Sequence, residues 1–236
     1  MTGSDTGRRA QLAAALERVE ARVQAACRAA GRPRGDVTLV AVTKTRPASD
    51  VALLAELGVR DVGESKAQEA ESKVAETGRP ELRWHMVGRL QRNKARSVAG
   101  WAAVVHSLDR APLVVALSRA AVRAQRELDV FVQVSLDADP ARGGAPAGDV
   151  PALVDAVAAA DGLVLRGLMA VPPLGTAPGP AYAELAVLAE RLRAAHPDAT
   201  QLSAGMSDDL EAAVAAGSTH LRIGTALLGH RAPLPR

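Results

Sequence analysis

The chain has 236 residues, of which 48% are apolar and 23% charged, with a formal net charge of +3. That length buries a sizeable core and suits one large domain or two small ones, and the composition is that of a soluble globular protein. The basic excess is mostly arginine spread along the chain, and aromatic residues make up only 2% (one Phe, one Tyr, two Trp). A diffuse excess of this kind is solubility charge, and stacking platforms for single strands are lacking, so no nucleic-acid partner is expected.

No run of about 18 apolar residues is present, so no transmembrane helix and no membrane association are expected. Met1 to Arg9 is small and polar with no hydrophobic stretch behind it, and the Arg-rich segment that follows carries Glu17 and Glu20. Both features argue against a targeting segment and for a cytoplasmic protein. Cys27, the only cysteine, excludes an internal disulfide and falls at an apolar helix position.

Leu12, Leu16, Val19, Val23 and Ala26 recur at spacings of three and four, predicting a long amphipathic helix ended by Gly31 and Pro33. The apolar run Val37 to Val42 follows, bounded by turn residues, as in a parallel strand covered on both faces. Lys44 stands just past its end, and Pro47 opens the next helix. The pattern then alternates. Strands are expected at Arg60 to Gly63, Leu82 to Val87, Ala102 to Ser107, Asp129 to Leu136, Leu163 to Ala170, Gln201–Leu202 and Thr219 to Ile223. Helices are expected from Ser65, Leu90, Asp109, Asp149, Pro180 and Ser207.

Eight strands alternating with helices predict a (β/α)8 TIM-like barrel with an extra N-terminal helix. A doubly wound open sheet is the alternative, against which stands the lack of a G-x-G-x-x-G after the first strand. No linker divides the chain, so residues 1–236 read as a single domain. The loops Asp137 to Gly148 and Pro172 to Pro180 follow strands, lie over the C-terminal mouth and are expected to be mobile.

Lys44 would project at that mouth. Desolvation at the rim of an apolar pocket favours the neutral amine that attacks an aldehyde, although a solvated loop lysine fits its position equally. Ser207, in Ser203-Ala204-Gly205-Met206-Ser207-Asp208-Asp209, is a good helix N-cap where free N–H groups could hold a phosphate, though Asp208 and Asp209 repel an anion. Arg222, Gly224 and Thr225, at the end of the last strand, offer a cation, a close backbone approach and a hydroxyl. Both candidate phosphate loops follow strands seven and eight, the usual phosphate site of such barrels. His85, in Trp84-His85-Met86-Val87-Gly88, alternates with apolar neighbours and can point into the barrel, where a structural role suffices. The histidines show no metal-ligand spacing, so no metal site is expected.

The segment Val40-Ala41-Val42-Thr43-Lys44-Thr45-Arg46-Pro47 resembles the cofactor-lysine motif of the pyridoxal phosphate homeostasis protein family, which is related to the N-terminal barrel of alanine racemase. Further matching segments follow in order. They are Gly63-Glu64 with Gln68-Glu69, Trp84 to Gly88 with Leu90-Gln91 and Asn93-Lys94, Ser107 to Arg110, Gly167 to Met169, Leu202-Ser203, Gly205 to Asp209, and Gly217 to Thr225.

The resemblance implies pyridoxal 5'-phosphate (PLP) as cofactor, a Schiff base on Lys44, and phosphate contacts from Ser207, Gly224 and Thr225. It implies Arg222 close to the cofactor, at the ring nitrogen or the phosphate, with His85, Ser65 and Met206 in the cofactor-binding set. It departs from the family pattern at Ser65 and Ser135, where asparagine is usual, and at Ala204, where methionine is usual.

The function implied is PLP storage or delivery in intracellular homeostasis, with apo PLP-dependent enzymes as partners and a monomeric state. A racemase of the alanine racemase type is the alternative, and a sugar-phosphate isomerase barrel without PLP is a third class. Racemase chemistry needs a second acid/base, normally a tyrosine from an added domain. The chain runs only 12 residues past Gly224, and its one tyrosine, Tyr182, is expected outside the mouth. The handler reading is therefore favoured, and no dedicated catalysis is expected.

Overall fold

The computed structural model describes residues 3–137, 139 and 141–229, so Met1, Thr2, two positions of the Asp137–Gly148 loop and residues 230–236 lie outside the described residues. Eight parallel strands close into a barrel in sequence order: β1 (Thr38–Val42), β2 (Asp61–Glu64), β3 (Arg83–Met86), β4 (Val104–Leu108), β5 (Leu128–Gln133), β6 (Leu163–Met169), β7 (Gln201–Ser203) and β8 (His220–Ile223). The helices are α1 (Gly3–Ala29), α2 (Ala48–Glu56), α3 (Ala67–Thr77), α4 (Ala95–Trp101), α5 (Ala111–Arg123), α6 (Val150–Ala158), α7 (Pro178–Ala195), α8 (Leu210–Ala215) and α9 (Thr225–Leu228). The expected (β/α)8 barrel with an additional N-terminal helix is thus the observed fold, and the closed sheet excludes the doubly wound alternative.

Strand alternation sorts side chains to two sides. Ala41, Val62, Trp84, Met86, Val105, Val130, Val132, Leu168, Leu202 and Leu221 face the helices and join one aliphatic core. The lumen is different. Val104, Phe131 and Met169 form a small cluster of their own there, surrounded by His85, His106, His220, Ser203 and Arg222, all buried. Branched aliphatic layers fill most such barrels; here a histidine-rich layer does so. His106 stacks on Phe131 at 4.6 Å between ring centroids, and His220 meets the same ring edge-on at 5.2 Å. The floor is an ionic lattice: Arg83 lies 3.3 Å from Asp61 and 3.1 Å from Asp129, and Arg166 lies 2.7 Å from Asp129.

The apolar stripe of α1 buries Leu12, Ala15, Val19, Val23, Ala26 and Cys27, while its arginines fasten the barrel's closing seam. Arg8 pairs with Asp50 at 2.6 Å, and Arg22 bonds both Glu211 at 2.8 Å and the Ser207 carbonyl at 2.9 Å. The helix therefore braces the loop between β7 and α8. The two loops expected to be mobile are tied together. Arg142 donates to the carbonyls of Pro172 and Val171, and Ala145 bridges back to β5 through the Gln133 carbonyl at 2.7 Å. No helix among the described residues is long and apolar enough to cross a membrane.

Burial holds His85, His106 and His220 neutral, pushing His220 down to about 3. In the unfolded chain these groups protonate near 6.5, so below that pH the unfolded state binds more protons and stability falls with pH. The slope is about 1.4 kcal/mol per pH unit for each histidine. Calorimetry between pH 7 and 5 should show a falling Tm with proton uptake on unfolding, reduced by about one proton in His220→Asn. A Tm that holds flat over this range contradicts a neutral lumen.

Candidate functional site at the barrel mouth

β1 ends at Val42, and the turn that follows presents Lys44 between two anchored threonines. Thr43 is fully buried and its hydroxyl donates to Glu64 Oε1 at 2.6 Å. Lys73, on α3, donates through Nζ to Glu64 Oε1 at 2.7 Å, to the Thr43 carbonyl at 2.7 Å and to Glu69 Oε1 at 2.8 Å. The Thr45 N–H donates to the same Glu69 oxygen, and Thr45 takes a φ of 66°, a region a β-branched residue enters only under constraint.

Burial pushes the Glu64 carboxyl up, with Lys73 and Thr43 opposing it. Burial pushes Glu69 in the same direction, but its bonds from Lys73 and Thr45 outweigh it and leave it lowered. Two carboxylates sharing one buried ammonium thus clamp the backbone on either side of Lys44. Lys73 was not singled out in the sequence, where it sits unremarked in a charged helix. Its spacing of four from Glu69 was the one available signal.

Lys44 lines a cleft of about 480 Å³ with Val42, Thr45, Arg46, Gly224 and Thr225. Arg46 reaches the Gly229 carbonyl across it. The amine side chain is exposed, so the dry rim expected from the apolar run is not what surrounds it. Gly224 and Thr225 thus share one cleft with Lys44, although they lie at the opposite end of the chain. A Cβ built on Gly224 would meet only Val42, no closer than 3.4 Å. The protein itself therefore does not require glycine there.

Ser207 lies beside this cleft but caps a different helix from the one expected. α8 starts at Leu210, and the Ser207 hydroxyl accepts the Ala226 N–H of α9 at 3.1 Å. Gly205 turns the preceding chain at φ 94°; a Cβ there would come within 2.6 Å of Ala213 and 2.7 Å of Leu221. Asp209 accepts the Met206 N–H and, at 2.7 Å, the Tyr182 hydroxyl, so its charge is absorbed within the loop. The placement of Tyr182 needs correcting: its ring belongs to α7 and is buried, but its hydroxyl reaches the β7–α8 loop at the mouth. Burial and then Asp209 push that phenol well above its usual range, so it stays protonated.

Arg222 lies inside the barrel, donating through Nη1 to Ser203 Oγ at 2.6 Å and through Nη2 to the Ala170 carbonyl at 2.9 Å. Burial pushes it down to about 10, which leaves it a cation at neutral pH.

The remaining sequence candidates are dispersed. Ser65 lines a neighbouring cleft of about 510 Å³ with Lys66, Met86, Gln91 and Lys94, and Met206 is half-buried in the Gly205 turn. His85 is not at the Lys44 cleft. Its ring is fully buried in the lumen, with Nδ1 2.8 Å from His106 Nε2 and Nε2 2.9 Å from Asp61 Oδ1. Ser135 sits on the loop after β5, 3.5 Å from Asp137, and Ala204 is buried after β7. Among the described residues, no group of three His, Cys, Asp or Glu is arranged to hold a metal ion.

A lysine past the first strand, facing loops after the last two, defines a barrel of the alanine racemase type, and the sequence profile of the alanine racemase N-terminal domain matches residues 15–232. More narrowly, the chain belongs to the pyridoxal phosphate homeostasis protein family. It is 49% identical over 244 residues to the pyridoxal phosphate homeostasis protein of Mycobacterium tuberculosis, covering 95% of this chain and 94% of that one. It is 38% identical over 226 residues to the Escherichia coli protein of the same name, covering 92% and 95%. Among solved structures it resembles PipY of Synechococcus elongatus PCC7942 with PLP bound, at TM-score 0.78 and 34% identity over 89% of this chain and all of that one. Alanine racemase from Corynebacterium glutamicum, at 15% identity and TM-score 0.68 over 93% of this chain and 64% of that one, shares the fold.

Removing one member of a buried ion pair while leaving its partner costs roughly 3–5 kcal/mol. Lys73→Met should lower the unfolding free energy in urea by that order, and adding Glu64→Gln should recover part of it. A single-variant loss below about 1 kcal/mol would contradict the clamp.

Proposed function

We propose that this chain binds PLP as a Schiff base on Lys44 and serves intracellular PLP homeostasis, storing the cofactor or delivering it to apo-enzymes. The observation that carries this reading is the single cleft shared by Lys44, Gly224 and Thr225. An amine for an aldehyde and a backbone-and-hydroxyl cradle for a phosphate stand within one ligand-sized space. The donor chemistry fits the group: Ser207 and Thr225 supply hydroxyls, and Gly224 leaves room where a Cβ would stand. The PLP carried by PipY, a relative at 34% identity, supports the same choice of ligand.

PLP supplies an electron-withdrawing ring when bound. What this chain's residues do is hold it. Lys44 would supply the amine that holds the aldehyde. The Glu64–Lys73–Glu69 clamp fixes the turn that carries the amine, and the loops after β7 and β8 hold the phosphate. Ser65 and Met206 flank the mouth, and Arg222 lies beneath it.

Among the described residues that line the cleft, none is a carboxylic acid, a phenol or an imidazole. The chain's only phenol, Tyr182, is raised in pKa and donates to Asp209. We therefore favour a monomeric PLP handler over a racemase. Reduction of the PLP-loaded protein with borohydride, followed by peptide mapping, should place the pyridoxyl label on Lys44, and the loaded protein should racemise alanine more slowly than about 1 per second, the low end of ordinary enzymes. A label on another lysine refutes the binding assignment, and faster turnover refutes the handler role.

A further inference from the structure

The lumen holds four buried or half-buried polar groups that the reading above leaves without a task. Arg222 Nη1 is 2.6 Å from Ser203 Oγ, Ser203 Oγ is 2.8 Å from His106 Nδ1, His106 Nε2 is 2.8 Å from His85 Nδ1, and His85 Nε2 is 2.9 Å from Asp61 Oδ1. These contacts run unbroken from the C-terminal end of β8 to the first residue of β2, through the whole height of the barrel.

Their proton directions are forced. A guanidinium only donates, so Ser203 Oγ accepts from Arg222; the hydroxyl keeps a second lone pair, and it is the acceptor-only Asp61 tail that, with both rings neutral, turns the Ser203 proton to His106 Nδ1. His106 must then carry its proton on Nε2, which donates to His85 Nδ1. His85 in turn must be the Nε2–H tautomer, donating to Asp61, and a carboxylate only accepts. The donor-only head and acceptor-only tail agree on one arrangement of protons with no vacancy in it.

We propose that Ser203, His106, His85 and Asp61 are positioning residues that lock Arg222 as a fixed hydrogen-bond donor beneath the Lys44 cleft. The proposal rests on the reading of that cleft as a PLP site. Two of the three guanidinium nitrogens are committed to Ser203 and Ala170, and among the described residues no acceptor meets the third, Nε. A ligand atom at the mouth that faces Nε–H receives a hydrogen bond from a guanidinium that stays a cation at neutral pH.

The charged and titratable neighbours are consistent with this arrangement. His220 from β8 and Arg83 from β3 both disfavour a charge on His106. Asp209 favours the charge on Arg222, and Asp129 lies with Arg83 at the floor. Burial keeps His85 and His106 neutral; burial also pushes Asp61 up, but the bond from His85 together with Arg83 nearby outweighs it and keeps Asp61 ionised. These are the protonation states the chain requires.

The first test needs no PLP. Long-range proton–nitrogen correlation spectra of protein labelled with ¹⁵N-histidine should show His85 and His106 both as neutral Nε2–H tautomers between pH 8 and 5. An Nδ1–H tautomer or a cationic ring at pH 7 in either residue overturns the chain. Asp61→Asn, which keeps an acceptor oxygen at the tail, should preserve both tautomers, whereas Asp61→Leu should release that of His85. For the positioning role, Ser203→Ala should weaken PLP binding about tenfold, the order expected for losing a bond to a charged group. It should also shift the pH midpoint of the bound cofactor's visible absorbance. An unchanged Kd and midpoint in a folded Ser203→Ala protein overturns that role. If the tautomers are as stated but the wild-type protein binds no PLP, the cleft assignment fails and the positioning role fails with it, while the chain stands.

Discussion

The pairing of β8 with β1 is the constraint on which everything at the mouth depends. Thr38 to Ala41 run in register with His220 to Ile223, so residues separated by most of the chain's length end side by side. Without that closure Lys44 would not share a cleft with Gly224 and Thr225. The seam is reinforced from outside by α1, whose Arg22 bonds the Ser207 carbonyl and Glu211. It is reinforced from inside by Arg222, which joins β8 to β7 and to the end of β6. Parallel pairing between chain ends carries a large loop-closure entropy, and these bonds offset it where the site is built.

The barrel was legible because its strands are short apolar runs between turn residues at regular spacing, and the observed strands overlap the expected ones throughout. Lys44 was legible because it stands one step past such a run. What stayed hidden were contacts between elements. Glu64 and Glu69 fell in segments that match the family but carried no stated role, Lys73 read as an ordinary charged residue, and only the packing of α3 against the turn after β1 makes them a clamp. His106 and His220 carried no signal, because lumen neighbours come from strands whose separation along the chain is set by helix and loop lengths. The cap at Ser207 misled for a similar reason: a serine before an acidic pair is a good helix start, yet here its hydroxyl serves a helix after β8. Tyr182 was placed by its helix, and a long side chain crossed the distance that its backbone did not.

Two features of the site agree on restraint. The amine that would hold the cofactor is presented on a clamped turn, open to solvent and thus open to exchange. The groups that could move protons are tied up: Tyr182 donates to Asp209, His85 and His106 donate into the lumen chain, and Arg222 stays a cation. The proposed reading, an amine that would hold an aldehyde reversibly, accords with the family to which the chain belongs.

The central claim is that Lys44 holds PLP, and an absorbance titration tests it directly. Adding PLP to the wild-type protein should produce a visible band that saturates at one equivalent, while Lys44→Ala, whose fold retains the Thr43 and Thr45 anchors, should show only the spectrum of free PLP. A saturating visible band in Lys44→Ala equal to that of the wild type, or none in the wild type, would contradict the account.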